Sequence, residues 1–217
     1  MTELVSPQAE AYAEAHTSGV DGQLAEVASW TQSETAAPQM MSGLAEARLL
    51  EALIVASGAR HVLEIGTFTG FGALTMAAAV SDGGHVTTLE VDEETAAVAR
   101  RHIAASEYAS RIELIVGNAL DTIERLPGPF DLVYIDAGKA DYPAYYEAVM
   151  GKLSERGVIV ADNLFRAGLV LDSSVDDAGT QGMREFARRV HEDERVHNVM
   201  LTIGDGVMLA WRRPAGG

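Results

Sequence analysis

Four residues carry the most specific chemistry this sequence can be read for: Asp136, Lys139, Asp162 and Asn163. They stand in the runs Tyr134-Ile135-Asp136-Ala137-Gly138-Lys139 and Val160-Ala161-Asp162-Asn163. Two carboxylates and an amide oxygen form an all-oxygen set, which suits a hard divalent cation such as Mg²⁺, or Mn²⁺ or Ca²⁺ in its place. No His or Cys accompanies them, which argues against zinc. A lysine beside a dication is pushed toward its neutral form and becomes able to accept a proton. The cation, as a Lewis acid, lowers the pKa of the hydroxyl that would give that proton. Arginine cannot substitute, because it does not deprotonate usefully. Only two of the sixteen basic residues are lysines, Lys139 and Lys152. A plainer reading makes Asp136 a helix cap and Asp162-Asn163 an Asx turn. It suffices for either aspartate alone, but not for both at the ends of neighbouring strands.

That neighbourhood follows from the elements around the four residues. From residue 61 a strand–helix alternation sets in. Strands are expected at His61–Ile65, Val86–Glu90, Ile112–Val116, Phe130–Ile135 and Gly157–Ala161. Helices are expected at 70–80, 93–106, 119–125, 141–153 and 179–193. Such alternation is the mark of a parallel α/β sheet. The end breaks the pattern. Val199–Ile203 and Val207–Trp211 flank Gly204-Asp205-Gly206, a turn that fits a hairpin, so one antiparallel strand is expected to close the sheet. Before residue 61 the chain reads as three helices, at 6–16, 20–32 and 42–57, with Ser42 as N-cap of the third and Gly58 as its terminator. The fold class is α/β: a Rossmann-like, mostly parallel sheet with helices on both faces. The expected organisation is a single domain over 1–217, with a helical cap at 1–57 and a sheet core at 61–211.

Ligands of such sheets sit beyond the carboxyl ends of the strands. The first strand runs into Glu64-Ile65-Gly66-Thr67-Phe68-Thr69-Gly70, a glycine turn that opens a helix. The second ends in Glu90, placed to hold both hydroxyls of a ribose. After the third come Asn118 and Ala119. The glycines are spaced Gly66-x3-Gly70-x-Gly72, which is not the G-x-G-x-x-G spacing of a pyrophosphate-binding turn. Glu64 is an awkward neighbour for a pyrophosphate and a good one for a cationic sulfur ligand. The combination favours S-adenosylmethionine over NAD. Cofactor contacts are therefore expected from Glu64, Gly66, Thr67, Phe68, Gly70, Gly72, Glu90, Asn118, Ala119 and Asp136.

Composition narrows the classes further. Across 217 residues there is no cysteine, so disulfides, thiolate metal sites and a Cys nucleophile are excluded. The formal net charge of −16 disfavours nucleic acid and anionic membranes as partners. No Lys or Arg precedes Arg48, whereas Glu3, Glu10, Glu14, Asp21, Glu26, Glu34 and Glu46 do. No basic leader and no membrane-length apolar run is visible, so a cytoplasmic protein is expected. The histidines at 16, 85, 102, 191 and 197 show no partner pattern and receive no role.

Residues from about 38 to 211 resemble the cation-dependent O-methyltransferases of the caffeoyl-CoA and catechol O-methyltransferase family. The motifs are Leu63 to Gly70, the acid at Glu90, Tyr134-Ile135-Asp136-Ala137-Gly138-Lys139-Ala140-Asp141-Tyr142, Ala161-Asp162-Asn163 and Ile203-Gly204-Asp205-Gly206. The resemblance implies a seven-stranded sheet with a reversed last strand and S-adenosylmethionine as donor. It implies a cation held by Asp136, Asp162 and Asn163, and Lys139 as base. It also implies a homodimer, and a Met40–Met41 loop lining the pocket between donor and acceptor. Two positions depart from the family pattern: Gly138 replaces an acid or tryptophan, and Gly72 replaces a serine. Both departures lead one to expect a roomier pocket.

A cation that chelates two vicinal oxygens makes a catechol-type small molecule the natural acceptor. A caffeoyl-CoA thioester needs a phosphate site, which the acidic N-terminal segment does not offer unless Arg166 or Arg184 supplies it. Phe165 and Arg166, directly after the metal pair, are further substrate-contact candidates. Alternatives are a cation-independent methyltransferase, a non-catalytic binder of an adenosyl ligand and a nicotinamide oxidoreductase.

Overall fold

The structure is a computed structural model that describes residues 5–214. Seven strands form one sheet in the order β3-β2-β1-β4-β5-β7-β6. They are β1 (His61–Ile65), β2 (His85–Glu90), β3 (Ile112–Val116), β4 (Phe130–Ile135), β5 (Leu153–Ala161), β6 (Val196–Leu201) and β7 (Val207–Arg212). The pairs β1–β2, β1–β4, β2–β3 and β4–β5 are parallel. β7 lies antiparallel between β5 and β6. The reversed last strand is thus inserted into the sheet, not added at its edge.

Central strands are buried on both faces, as a parallel sheet requires. In β1, Val62, Leu63, Glu64 and Ile65 are all buried. Leu63 and Ile65 face a cluster that includes Val133, Ile135, Tyr142, Tyr146 and Phe186. Val62, with Leu132 and Tyr134, faces the opposite cluster, which holds Leu50, Ile54, Ala73 and Met76. Helices cover both sides: α3 (Leu44–Ser57) and α4 (Phe71–Ala79) on one, α6 (Ala119–Arg125), α7 (Tyr142–Met150) and α8 (Ala178–Glu192) on the other. α5 (Glu93–Ala104) connects β2 to β3. Before these, α1 (Pro7–Ala15) buries no residue, while α2 (Gly22–Glu34) packs Val27 against Phe71 and Leu74 of α4.

Several boundaries differ from the sequence reading. α7 stops at Met150 and β5 begins at Leu153, four residues before the expected Gly157. Leu153 pairs with Phe130, and the register shifts before Leu132. Gly157 makes this possible, because a Cβ there would lie 2.8 Å from the Phe130 carbonyl oxygen. β6 runs over Val196–Leu201, not Val199–Ile203, since its pairing with β7 ends at Leu201 opposite Val207. The turn itself holds, with the Gly206 amide bonding to Ile203 O at 2.8 Å. α3 is capped by Gly43, not Ser42. Residues 1–4 and 215–217, which fall within the expected single domain, lie outside the described residues.

Candidate active site

The loop after β1 turns through three left-handed residues: Gly66 (φ 102°), Phe68 (φ 50°) and Gly70 (φ 91°). Gly66 must lack a side chain, because a Cβ would sit 2.0 Å from the Asp136 carbonyl oxygen. The ends of β1 and β4 therefore touch, which brings Asp136 beside this loop. Glu90 closes the loop on its far side. One of its carboxylate oxygens accepts from Phe68 N at 2.9 Å, and the other from Val91 N at 2.9 Å and Asp92 N at 3.1 Å. Asn118 caps α6 through Leu120 N and Asp121 N, and Ala119 opens that helix.

Glu64 is 1 % exposed. It accepts a 2.5 Å hydrogen bond from the Thr88 hydroxyl, which in turn meets that of Thr67. Burial, then the charges of Asp136 and Glu90, raise its carboxyl to about 8, against the pull of the Thr88 bond. Such a carboxyl stays largely protonated at neutral pH until a positive charge arrives. The space above Gly72 belongs to this same group, since a Cβ at Gly72 would lie 2.2 Å from Glu64 Oε1. The expectation of extra room at Gly72 is thus corrected: the missing side chain is replaced by a buried carboxyl. Gly72→Ser is expected to destabilise the chain by about 1–3 kcal/mol, read as a lower denaturation midpoint. An unchanged midpoint would mean that Glu64 yields freely. At Gly138, by contrast, a Cβ meets only Asp141 Oδ2, at 3.5 Å.

Beyond β4 and β5 the expected quartet comes together. Lys139 Nζ donates to Asp136 Oδ1 at 2.7 Å, to Asn163 Oδ1 at 2.6 Å and to the Tyr142 hydroxyl at 3.0 Å. Asp162 lies beneath, 2 % exposed. It accepts from the Tyr134 hydroxyl at 2.8 Å and from Asn163 N at 2.6 Å. Desolvation first, then the charge of Asp136, raise its carboxyl to about 7. The Asp136 and Asn163 oxygens thus already converge on one positive atom, with the buried carboxyl of Asp162 next to them. This donor set fits a hard cation. Among the described residues no three His, Cys, Asp or Glu side chains gather at one point; the Asn163 amide oxygen is the third oxygen beside Asp136 and Asp162.

The other candidates are placed as follows. Met40 is 57 % exposed, in the short turn before α3, whereas Met41 packs against the cluster of α2 and α4. The Phe165 ring lies over Gly206. Arg166 is bound to Asp177 and Thr180 at the start of α8. A hollow of about 200 Å³, lined by Gln23, Glu26, Val27, Trp30, His102 and Ala105, touches none of the quartet.

Five contributors escaped the sequence reading. Ser42, expected as a cap, meets the Tyr134 hydroxyl at 3.0 Å and so ties the Met40–Met41 loop to Asp162 through Tyr134. Tyr142 bonds Lys139 and two backbone carbonyls at the strand ends. Glu46 presses its carboxylate on Gly43 and Gly204, and burial raises its pKa. His102, given no role, meets Thr69 O through Nδ1 at 2.8 Å and braces the first loop. Asp205 accepts from the Ala167 amide in the segment that follows Asn163. Tyr142 and Asp205 lie inside the quoted motifs without a role assigned to them, and Tyr134, two residues before Asp136, shares its strand face.

A family model described as O-methyltransferase matches residues 14–213. The chain belongs to the O-methyltransferase family. The methyltransferase is 38 % identical to a catechol O-methyltransferase of Mycobacterium tuberculosis over 212 residues, covering 94 % of each chain. A Bacillus cereus O-methyltransferase solved in complex with SAH superposes with a TM-score of 0.87 at 31 % identity, over 95 % of this chain and 97 % of that one. The O-methyltransferase TomG of Streptomyces achromogenes, involved in tomaymycin synthesis and solved with SAM, gives a TM-score of 0.86 at 30 % identity, over 94 % and 96 %. Membership makes the methyltransferase an enzyme, and so removes the binding-protein and oxidoreductase alternatives. Among the described residues no helix is long and apolar enough to cross a membrane.

Proposed function

We propose that this enzyme transfers a methyl group from S-adenosylmethionine to one hydroxyl of a catechol-type, vicinal dihydroxy small molecule. A divalent cation, Mg²⁺ or else Mn²⁺ or Ca²⁺, would be held by Asp136, Asp162 and Asn163. The observation that carries this reading is the convergence of Asp136 and Asn163 on the Lys139 ammonium, above the buried Asp162. The donor assignment draws on the SAH and SAM complexes of the similar Bacillus and Streptomyces proteins. The acceptor class draws on the name of the mycobacterial relative. The homodimer implied by the resemblance and a role in secondary metabolism belong to the same reading.

The cation, when bound, supplies Lewis acidity that lowers the pKa of an acceptor hydroxyl. With Asp136 and Asn163 turned to the cation and its own proton lost to solvent beside that charge, Lys139 would accept the hydroxyl's proton at Nζ. Tyr142 keeps Lys139 in place, and Tyr134 holds the orientation of Asp162. Glu64, Glu90 and the turn from Gly66 to Gly70 position the donor, and Glu64 meets its positive charge. The rest of the catalytic effect is alignment of the two reactants.

The acceptor is small and need not carry phosphates. Arg166 is paired with Asp177, and Arg184 is spent on the carbonyls of Leu169, Val170, Asp172 and Val175. Neither arginine is free to bind a thioester tail bearing phosphates. The test is a panel of catechols and caffeoyl-CoA, read by mass spectrometry with Mg²⁺ and after exhaustive chelation. Chelation is expected to lower catechol methylation by about 100-fold or more, with recovery on adding Mg²⁺. Full activity after chelation would establish the cation-independent alternative. Comparable turnover of caffeoyl-CoA would end the small-acceptor preference.

A further inference from the structure

The turn Gly204-Asp205-Gly206 has no part in the mechanism above, yet it is bonded to the segment that carries Asn163. Three non-glycine residues in that segment have left-handed backbones: Asn163 (φ 59°), Arg166 (φ 49°) and Ala167 (φ 52°). Side chains disfavour that region, and such residues persist only where their surroundings hold them. Here the surroundings are the turn. Leu164 N donates to Gly206 O at 2.9 Å, and Phe165 N donates to Asp205 O at 2.8 Å. The Ala167 amide points at the Asp205 carboxylate, 2.7 Å from Oδ1 and 2.9 Å from Oδ2. Gly206 leaves room for the Phe165 ring, since a Cβ would lie 2.3 Å from Phe165 Cδ2. The positive charge of Lys139 acts on the same carboxylate.

We propose that Asp205 is a positioning residue: by holding the Ala167 amide it keeps the 163–168 segment wound so that the Asn163 side-chain oxygen stays aimed at the cation-binding point. This rests on the cation reading above. Asp205 touches neither the cation point nor the donor loop, so its effect is specific. It should change cation affinity and leave donor affinity alone. A bonded acceptor for Ala167 N is what matters, so asparagine serves and alanine does not.

The test measures Mn²⁺ binding by loss of the free-ion paramagnetic resonance signal, S-adenosylmethionine binding by calorimetry, and thermal unfolding. Asp205→Ala is expected to weaken Mn²⁺ binding by about 10-fold or more, the size seen when a residue orienting a metal ligand is removed. Donor affinity is expected to stay as in the wild type, and Asp205→Asn to recover most of the Mn²⁺ affinity. If Asp205→Ala does not fold, Asp205→Ser, whose shorter side chain falls short of Ala167 N, takes its place with the same expectation. Unchanged Mn²⁺ binding in the variant overturns the proposal. So does a parallel loss of donor and Mn²⁺ affinity, which marks general loosening. Wild-type protein that binds no Mn²⁺ refutes the cation reading itself, and the role of Asp205 with it.

Discussion

Replacing Lys139 by methionine is expected to lower kcat for catechol methylation by about 10²–10⁴-fold, the usual contribution of a positioned general base. Lys139→Arg is expected to do the same. It preserves the charge that now faces Asp136 and Asn163, but a guanidinium does not give up its proton at working pH. The pair of variants therefore separates base from counter-ion. Donor affinity should change far less than kcat in both, because Lys139 bonds none of the residues of the first loop and, of its partners Asp136, Asn163 and Tyr142, only Asp136 is also an expected donor contact. Cation affinity should not fall in the methionine variant, since the ammonium that occupies two of the cation's oxygens is gone. Steady-state rates with saturating catechol, calorimetry with S-adenosylmethionine and a Mn²⁺ titration read these three quantities. An arginine variant that keeps more than about a tenth of wild-type kcat would sink the base assignment, because that loss is smaller than a general base contributes.

The quartet was legible because topology alone gathers it. Asp136 and Asp162 end parallel neighbours, and Ile135 pairs with Ala161 just before them. Any sheet with that strand order places the next residues together, whatever the side chains do. The cofactor loop was legible for a similar reason, as strand, glycine turn and helix occur in one run. What failed depends on partners distant in sequence. Ser42 has the composition of a cap, yet its hydroxyl bonds Tyr134, 92 positions away. Leu153 follows a helix and precedes polar Ser154-Glu155-Arg156, so nothing local marks it as strand. Its pairing with Phe130 decides that. Gly72 read as an absence, because its neighbour in space is a carboxyl from the preceding strand. Local chemistry names the groups and strand order brings them together, but the hydrogen-bond partners that orient them are chosen by packing.

Glu64→Gln is expected to make the unliganded protein more stable at alkaline pH while costing it the donor. The Glu64 carboxyl, ordinarily at 4.5, is raised to about 8, chiefly by burial. A raised acid favours folding in its protonated form. Its contribution is therefore fully present below about pH 4.5 and is lost as pH climbs through about 8. Asp162, raised from 3.8 to about 7, acts in the same direction over a lower window. The unliganded chain should accordingly melt at lower temperature as pH rises from about 5 to about 8. For Glu64, fully desolvated, the size is on the order of 5 kcal/mol. Glutamine has nearly the same shape and no charge to desolvate. The variant should match wild type at pH 5 and melt above it at pH 8. Binding inverts the ranking. A sulfonium beside Glu64 stabilises its ionised form, so wild-type binding near neutral pH releases a proton, and glutamine forgoes that attraction. Donor affinity is expected to fall by about 10-fold or more, about the worth of one buried charge-assisted contact. Calorimetry in phosphate and in Tris at pH 7 reads the proton, because the two buffers differ in ionisation enthalpy. Equal apparent enthalpies in wild type, or undiminished donor affinity in the variant, would falsify the pairing of Glu64 with the donor's positive charge.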